Sequence, residues 1–173
     1  MTAPTIRDAV PDDCGAVAAI YAHHVLTGVA SYDIVPPDRD SMRAKIIDVQ
    51  AAGWPFLIIE LDGHVVGFAY ATQIRPRPAY VHTAEDSIYI DHRSTGRGLG
   101  KPLLAALLTR TAACGFREMI AVIGGAEPGT ADPHSVALHT ALGFRKAGRL
   151  TGVGFKFGRS LDNIYMQRSL EDL

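Results

Sequence analysis

One segment near the middle of the chain restricts its possible folds more than any other. The run Thr95-Gly96-Arg97-Gly98-Leu99-Gly100-Lys101 follows a strand-like stretch over residues 86–91 and opens a strongly apolar helical pattern. Glycines allow backbone N–H groups to approach a ligand closely, and a helix N-terminus adds unpaired donors and the positive end of a dipole. We interpret the run as a turn that binds a pyrophosphate, with Arg97 and Lys101 adding charge at its edge. The alternative is an ordinary glycine-rich loop between a strand and a helix.

Two common nucleotide-binding classes do not fit this run. In the P-loop of nucleotide hydrolases the lysine is followed by serine or threonine, whereas Lys101 is followed by Pro102. The glycine motif of dinucleotide-binding folds comes directly after the first strand of a βαβ unit, whereas this run lies in mid-chain. The sequence therefore points to a different α/β architecture.

Strand-like and helix-like patterns alternate along all 173 residues, which predicts one α/β or α+β domain over residues 1–173. The predicted strands cover residues 5–7, 56–60, 65–72, 86–91, 119–123, 144–150 and 164–169, with a glycine-rich loop between the last two. Predicted helices begin at Pro11, cover residues 40–52, begin after Gly100 with Leu103, Leu104, Leu107 and Leu108 facing inward, and run from Asp132 to about Gly143. Asp62-Gly63 predicts a two-residue hairpin turn.

The charge balance and the cysteines exclude several classes of function. The net charge is −1 and the pI is about 6.6, so no excess of positive charge exists to neutralise a nucleic acid backbone. Cys14 and Cys114 stand too far apart for a paired metal-ligand motif, and no metal site is predicted. Residues 1–10 lack a signal-peptide pattern, and no run of about 18 apolar residues occurs. We expect a soluble cytoplasmic protein that binds neither nucleic acid nor membranes.

A resemblance to a known family extends from about residue 5 to the end of the chain. A strand ending in Ile88-Tyr89-Ile90, followed by Arg97-Gly98-Leu99-Gly100, resembles the acetyl-CoA motif of the GNAT superfamily of N-acetyltransferases. Thr95 departs from that motif, which has glutamine or arginine at this position. The phosphinothricin and methionine sulfoximine acetyltransferases are similar in further segments: Ala30-Ser31-Tyr32, residues 62–71, Ala79-Tyr80, residues 83–87, residues 121–124, residues 135–139, Leu142-Gly143-Phe144 and Gly154-Phe155-Lys156.

The resemblance implies the GNAT fold, which is a mixed and mostly antiparallel splayed sheet flanked by helices. The cofactor of such a fold lies where the strand of Ile88 and the strand of Met119 separate. For this chain the implied cofactor is acetyl-CoA, which serves as a co-substrate. Its acetyl group passes directly to a primary amine, without a covalent intermediate on the enzyme.

Two residues are catalytic candidates by resemblance. A protonated amine cannot attack a thioester, so a base must first remove a proton, and Glu85 is the candidate base. The alternative for Glu85 is an exposed loop carboxylate. His139 occupies a position where this family has histidine, and it would protonate or hydrogen-bond the leaving thiolate or assist the base. The alternative for His139 is a partly buried structural histidine.

The implied acceptor is a small amine that bears a carboxylate. Arg75 and Arg77, with the backbone around Pro76, are the candidate partners of that carboxylate. The alternative is a pair of solvated loop arginines. The resemblance completes the acceptor pocket with four further residues: Tyr32, Tyr80, Asp86 and Ser87.

Two features of this pocket follow from position along the chain. Alternation along an extended strand predicts that Asp86 and Glu85 point to opposite faces. Lys156 lies in the predicted glycine-rich loop, from which it would reach the site, in one arrangement across a dimer interface. A homodimer is expected by analogy with the family.

The resemblance also implies the contacts to acetyl-CoA. Backbone groups of Ile88, Tyr89 and Ile90 would bind the pantetheine and the oxyanion, and residues 96–101 would bind the pyrophosphate. Asp132 takes the place of a family asparagine that contacts CoA, and Ser135 lies one helical turn before His139. The alternative for Asp132 is a helix cap without a cofactor contact.

Two other functions stay open from the sequence alone. One is acetylation of a peptide N-terminus, a polyamine or an aminoglycoside, although a polycationic acceptor would favour an acidic approach surface and Arg75 and Arg77 are basic. The other is a CoA-binding sensor without catalysis, against which the presence of both Glu85 and His139 speaks.

Overall fold

One seven-stranded sheet organises the part of the chain that the computed structural model describes, residues 3–173. In chain order the strands are β1 (Thr5–Asp8), β2 (Phe56–Leu61), β3 (His64–Gln73), β4 (Thr83–Ile90), β5 (Glu118–Ala126), β6 (Arg145–Lys156) and β7 (Arg159–Ser169). Their spatial order is β1-β2-β3-β4-β5-β7-β6, and every neighbouring pair is antiparallel except β4 and β5. The mixed, mostly antiparallel sheet predicted above is confirmed.

Helices cover both faces of this sheet, which explains why β2 is apolar at nearly every position. Helices α1 (Cys14–Thr27) and α2 (Arg39–Ala51) cover one face, and α3 (Gly100–Ala113) and α4 (His134–Thr140) cover the other. Phe56 and Ile58 join the core under α1 and α2, whereas Leu57 and Ile59 join the core under α3. Successive side chains of one strand thus enter two different cores.

The apolar face predicted for α3 is confirmed. Leu103, Leu104, Leu107 and Leu108 are all fully or almost fully buried, and they pack on the central strand β5 through Met119. The hairpin turn predicted at Asp62-Gly63 is also confirmed, with positive φ angles of 51° and 78° that suit a two-residue turn between β2 and β3.

The glycine-rich loop predicted before residue 164 is wrong. Strand β6 continues through Gly152 and Gly154 to Lys156, and only Phe157 and Gly158 form the turn, with φ angles of 52° and 73°. The ladder between β6 and β7 is irregular between Leu150 and Gly154, so the glycines accommodate a bulge within the hairpin. The glycine-rich composition of this segment resembles that of a loop, although its backbone is paired with β7.

The last helix is shorter than predicted, because α4 begins at His134 and ends at Thr140. The capping role considered for Asp132 is wrong. The residue that precedes the helix is Pro133, which provides no side-chain cap, and the Asp132 carboxylate instead binds Lys146 and Arg149 of β6. Across residues 3–173, no helix combines the length and the apolar character that a membrane span requires.

Candidate active site

A cavity of about 840 Å³ opens where β4 and β5 separate. The two strands pair only through Thr83–Glu85 and Glu118–Ile120, and the ladder stops there. The separation predicted between the strands of Ile88 and Met119 is therefore confirmed. The walls of the cavity are the second half of β4, the second half of β5, the loop before α3, the inner side of α4, part of α1 and residues 30–33.

The register of β4 determines which of its backbone groups face this gap. The N–H of Asp91 donates to Val66 and the carbonyl of Thr83 accepts from Ile74, so residues with odd numbers direct their backbone groups to β3. Ile88 and Ile90 therefore direct theirs into the gap. The predicted backbone role of Tyr89 is not supported by this geometry, and Tyr89 contributes to the cavity wall instead.

The carbonyl of Ile90 already has a partner inside the protein. His24 of α1 donates from Nε2 to this oxygen at 2.8 Å, and both residues line the cavity. The N–H and carbonyl of Ile88 and the N–H of Ile90 are then the groups of β4 best placed to pair with an extended ligand such as pantetheine. His24 was not identified from the sequence as part of this region.

The loop before α3 has the properties of a phosphate site. Gly96 and Gly98 have φ angles of 72° and 75°, a region that side chains disfavour, and the Cβ positions at both meet open space. The residue preceding α3 is Leu99, whose side chain cannot cap the first N–H groups, so these donors are available to an anion. Gly100 and Lys101 complete this end of the cavity wall, whereas Arg97 does not line it.

We expect Gly98→Ala to weaken CoA binding about tenfold or more, because a side chain displaces the backbone from its positive φ and misdirects charge-assisted donors. Isothermal titration calorimetry with CoA measures the effect. Gly53→Ala is the matched control, because Gly53 has a φ of 78°, also meets open space and lies outside the cavity wall. Equal affinities in the two variants would contradict the phosphate role.

Glu85 lies in the cavity wall near the last paired residues of β4. Burial raises the pKa of its carboxyl group, the nearby charge of Asp86 raises it further, and the charge of Arg75 partly opposes both. A carboxylate with a raised pKa accepts protons more readily near neutral pH than an ordinary glutamate does. The role of Glu85 as a base stays a prediction, which its place in the cavity wall and its raised pKa support.

Asp86 points towards His139 of α4. Its Oδ2 lies 3.1 Å from Nε2 of His139, and each side chain is only 2% exposed. The other ring nitrogen, Nδ1, lies 2.7 Å from the carbonyl oxygen of Ser135. Burial lowers the pKa of His139, but the hydrogen bond and charge of Asp86 more than offset this, so the pKa is raised overall. Because both ring nitrogens are engaged, the predicted contact with a thiolate requires one of these bonds to break.

Tyr32 forms a rigid part of the cavity wall. Its hydroxyl donates to the carbonyl of Asp162 at 2.7 Å and accepts from the N–H of Gly125 at 3.2 Å. Its ring lies so close to Gly124 and Gly154 that a Cβ at either position would clash with it. The predicted contribution of Tyr32 to the pocket is therefore a fixed surface of the ring, since its hydroxyl is already used.

A polar cluster beside Tyr32 was not identified from the sequence. Tyr21 donates to Asp33 at 2.6 Å and hydrogen-bonds Ser31 at 2.8 Å, and all three residues line the cavity. Burial and the bond to Asp33 raise the pKa of Tyr21 to about 12.

The predicted position of Lys156 in a loop is wrong, because Lys156 is the last residue of strand β6. Its Nζ donates to the Ser31 carbonyl of the same chain at 2.7 Å.

The remaining predicted residues divide into two groups. Ser87 and Ser135 line the cavity. Arg75, Pro76, Arg77 and Tyr80 are exposed in the connection between β3 and β4 and are not part of its wall, and neither is Asp132. Their predicted contacts stay predictions, and Asp132 has its ion pairs with β6 instead. No group of three or more potential metal ligands lies together within the described chain.

Comparison with known proteins shows which family the sequence matches and which acetyltransferases it is similar to. A family model described as "Acetyltransferase (GNAT) family" matches residues 12–144. The chain is 48% identical over 166 residues to a phosphinothricin N-acetyltransferase of Alcaligenes faecalis, which covers 96% of this chain and 82% of that protein. It is 36% identical over 168 residues to an L-methionine sulfoximine/L-methionine sulfone acetyltransferase of Salmonella typhimurium, covering 97% and 95%.

A similar solved structure is that of a phosphinothricin acetyltransferase from Sinorhizobium meliloti in complex with acetyl-CoA. It superimposes with a TM-score of 0.90 at 44% identity, over 96% of this chain and 88% of that one. The cavity between β4 and β5 thus belongs to an architecture that has been seen with acetyl-CoA bound.

Proposed function

Because the chain belongs to the acetyltransferase (GNAT) family, we propose that it transfers acetyl from acetyl-CoA to the amino group of a small amino-acid-like acceptor. The observation that carries this proposal is the gap between β4 and β5, with phosphate-binding geometry at one end and Glu85 at the other. The relatives named above act on phosphinothricin and on methionine sulfoximine or sulfone, so these are the acceptors to test first.

The reaction assigns a task to each end of the cavity. The loop at residues 96–101 and the start of α3 hold the diphosphate, and the carbonyl of Ile88 and the N–H of Ile90 pair with the pantetheine. Glu85 takes a proton from the ammonium group of the acceptor, either directly or through water. The N–H of Ile88 stabilises the oxyanion that develops on the thioester carbonyl.

Proton balance completes the reaction. Glu85 takes the first proton of the ammonium, and a second proton, released as the amide forms, neutralises the leaving thiolate. Neither cysteine is placed to carry the acetyl group, because Cys14 and Cys114 both lie outside the cavity wall. The proposed route is direct transfer of acetyl to the amine.

Recognition of an acceptor carboxylate is assigned to Arg75 and Arg77. Both are exposed, yet the charge of Arg75 acts on Glu85, so this arginine lies near the acceptor end of the cavity. An acceptor with its amine at Glu85 would direct a carboxylate towards that connection. Guanidinium groups suit this task, since they pair with carboxylates through two hydrogen bonds.

For the double variant Arg75→Ala/Arg77→Ala, we expect the KM for a carboxylate-bearing acceptor to rise about tenfold or more, because charge-assisted hydrogen bonds are lost. The KM for acetyl-CoA should stay within about twofold, since the two arginines lie outside the cavity wall. Steady-state kinetics with each substrate varied in turn measures both constants. A parallel rise in both would contradict the assignment.

Release of free thiol from acetyl-CoA tests the proposed function as a whole. The acceptors to compare are phosphinothricin, methionine sulfoximine, methionine sulfone, spermine and a short peptide with a free N-terminus. Turnover with the amino-acid analogues supports the proposal, and turnover with spermine or the peptide alone would replace it by the second enzyme class. Binding of acetyl-CoA without turnover of any amine would support a sensor.

We also propose that the protein forms a homodimer through β6. Within residues 3–173, β6 is one of the two edge strands of the sheet, its outer side pairs with no strand, and it carries the exposed Val153 and Phe155. A second copy could pair with that edge and cover the apolar side chains. Multi-angle light scattering on the purified protein distinguishes a dimer from a monomer.

A further inference from the structure

Three hydrogen-bonded side chains, Tyr21, Ser31 and Asp33, line the cavity on the face of β4 that carries Glu85. We call them the Tyr21–Asp33 cluster. Side chains of a strand alternate between its two faces, so Glu85 and Tyr89 share one face. The ring of Tyr21 packs edge-on against the ring of Tyr89, with 4.9 Å between the ring centroids. The cluster therefore lies on the same side of the sheet as the candidate base.

The hydrogens of both hydroxyl groups in the cluster are directed towards the carboxylate. Tyr21 donates to Oδ2 of Asp33 at 2.6 Å, so the bond of 2.8 Å between the hydroxyls of Tyr21 and Ser31 must be donated by Ser31. The Ser31 hydroxyl also accepts from the N–H of Asp33 at 3.2 Å. Neither hydroxyl keeps a hydrogen for a ligand, and a carboxylate can only accept. The cluster thus offers a hydrogen-bond acceptor to the cavity, above all at Oδ1 of Asp33.

A buried cation lies behind the cluster. Lys156 is only 4% exposed, donates to the Ser31 carbonyl and is not part of the cavity wall. Burial lowers the pKa of Lys156, and the charge of Asp33 only partly opposes this effect. The two charges are close enough to interact, yet a molecule in the cavity meets the carboxylate and not the ammonium group.

An acceptor bound for the proposed reaction would direct its side chain towards this cluster. Its amine lies at Glu85 and its carboxylate at Arg75, whose charge acts on Glu85 from the connection before β4. The side chain then extends the other way along the same face, past Ser87 towards Tyr89, and all three β4 residues line the cavity. Successive residues on one face of a strand are about 7 Å apart, a span that a side chain of the size of methionine can cover.

We propose that Asp33 determines which acceptors the enzyme prefers, by accepting a hydrogen bond from an uncharged N–H on the end of the acceptor side chain and by repelling an anionic end. This inference rests on the proposed function and specifies its substrate class. Methionine sulfoximine carries such an N–H. Methionine sulfone has an oxygen in its place, and phosphinothricin has a phosphinate group, whose oxygens share a negative charge.

Steady-state kinetics with these three acceptors tests the proposal in the wild-type protein. The kcat/KM for methionine sulfoximine should exceed that for the sulfone about tenfold or more, because the sulfone cannot donate to a carboxylate. Phosphinothricin should be the poorest of the three, because like charges repel.

Asp33→Asn tests the residue itself. The ratio of kcat/KM between the sulfoximine and the sulfone should fall to within about threefold, since an amide can both donate and accept. The kcat/KM for phosphinothricin should rise about fivefold or more with the charge removed. The Kd for CoA should stay within about twofold, because the variant alters the recess for the amine and not the phosphate site.

Asp48→Asn is the matched control, because Asp48 is an exposed residue of α2 outside the cavity wall and its substitution removes the same charge. This variant should keep the wild-type order of acceptors. Calorimetry with each acceptor on the CoA-saturated enzyme measures the same preference without the chemical step.

Equal wild-type kcat/KM for the sulfoximine and the sulfone would overturn the proposal, and so would a preference that Asp33→Asn leaves unchanged. A wild-type enzyme that binds CoA and acetylates no amine would instead overturn the proposed function itself.

Discussion

Replacing Glu85 with glutamine is expected to lower kcat by a factor of about 100 to 10,000, which is the usual contribution of a general base. The amide keeps the size of the side chain and removes its ability to take a proton. Burial and the charge of Asp86 raise the pKa of Glu85, so the wild-type profile of kcat/KM should show an acidic limb above the range of ordinary glutamates. That limb should be absent from the variant.

A suitable control for this experiment lies on the neighbouring strand. Glu118 of β5 is level with the first residue of β4, accepts a hydrogen bond from Gln167 and lies outside the cavity wall. Glu118→Gln should therefore retain wild-type kcat, and both variants should bind CoA normally. If Glu85→Gln retained more than about a tenth of wild-type kcat, the assignment of Glu85 as base would fail.

Replacing Gly154 with alanine is expected to affect both stability and activity. The added Cβ would lie 2.3 Å from one ring carbon of Tyr32, and the ring cannot retreat easily because its hydroxyl is held by Asp162 and Gly125. Overpacking of this kind costs about 1–3 kcal/mol of unfolding free energy. Because Tyr32 lines the cavity, and under the proposed function contributes to the acceptor pocket, kcat/KM for the acceptor should fall as well.

Gly148→Ala is the matched control, since Gly148 lies on the same strand and its Cβ position meets open space. Chemical denaturation should show little change for this variant. Adding Tyr32→Ala to Gly154→Ala should remove most of the extra destabilisation, because the clash then has no partner. Equal losses at Gly148 and Gly154 would show that the cost comes from β6 itself and not from contact with Tyr32.

The parts of the fold that could be predicted from the sequence depend on short-range signals. Asp62-Gly63 needs only its own backbone preference to form a turn, and the leucines of α3 show their inner face by spacing alone. The turn between β4 and α3, whose phosphate role stays a prediction, could be located for the same reason, because its glycines and the following helix are adjacent in the chain.

The interior of the site depends on contacts that no local pattern reveals. Tyr32 lies in the connection between α1 and α2, and its ring packs on Gly154 of β6. Without knowledge of this contact, the glycines of β6 resemble loop residues. Asp86 and His139 could each be selected as candidates, yet their pairing depends on how α4 lies over β4. His24 contacts Ile90 for a similar reason, and its position on α1 carries no signal of it.

Strands β4 and β5 pair through only three residues of each strand, and beyond these residues the two strands separate. Under the proposed function, an extended thioester lying in this opening would contact both strands where they no longer contact each other. The recess left for the amine would then be shaped partly by the bound thioester. We therefore expect a fixed order of binding, with acetyl-CoA ahead of the amine.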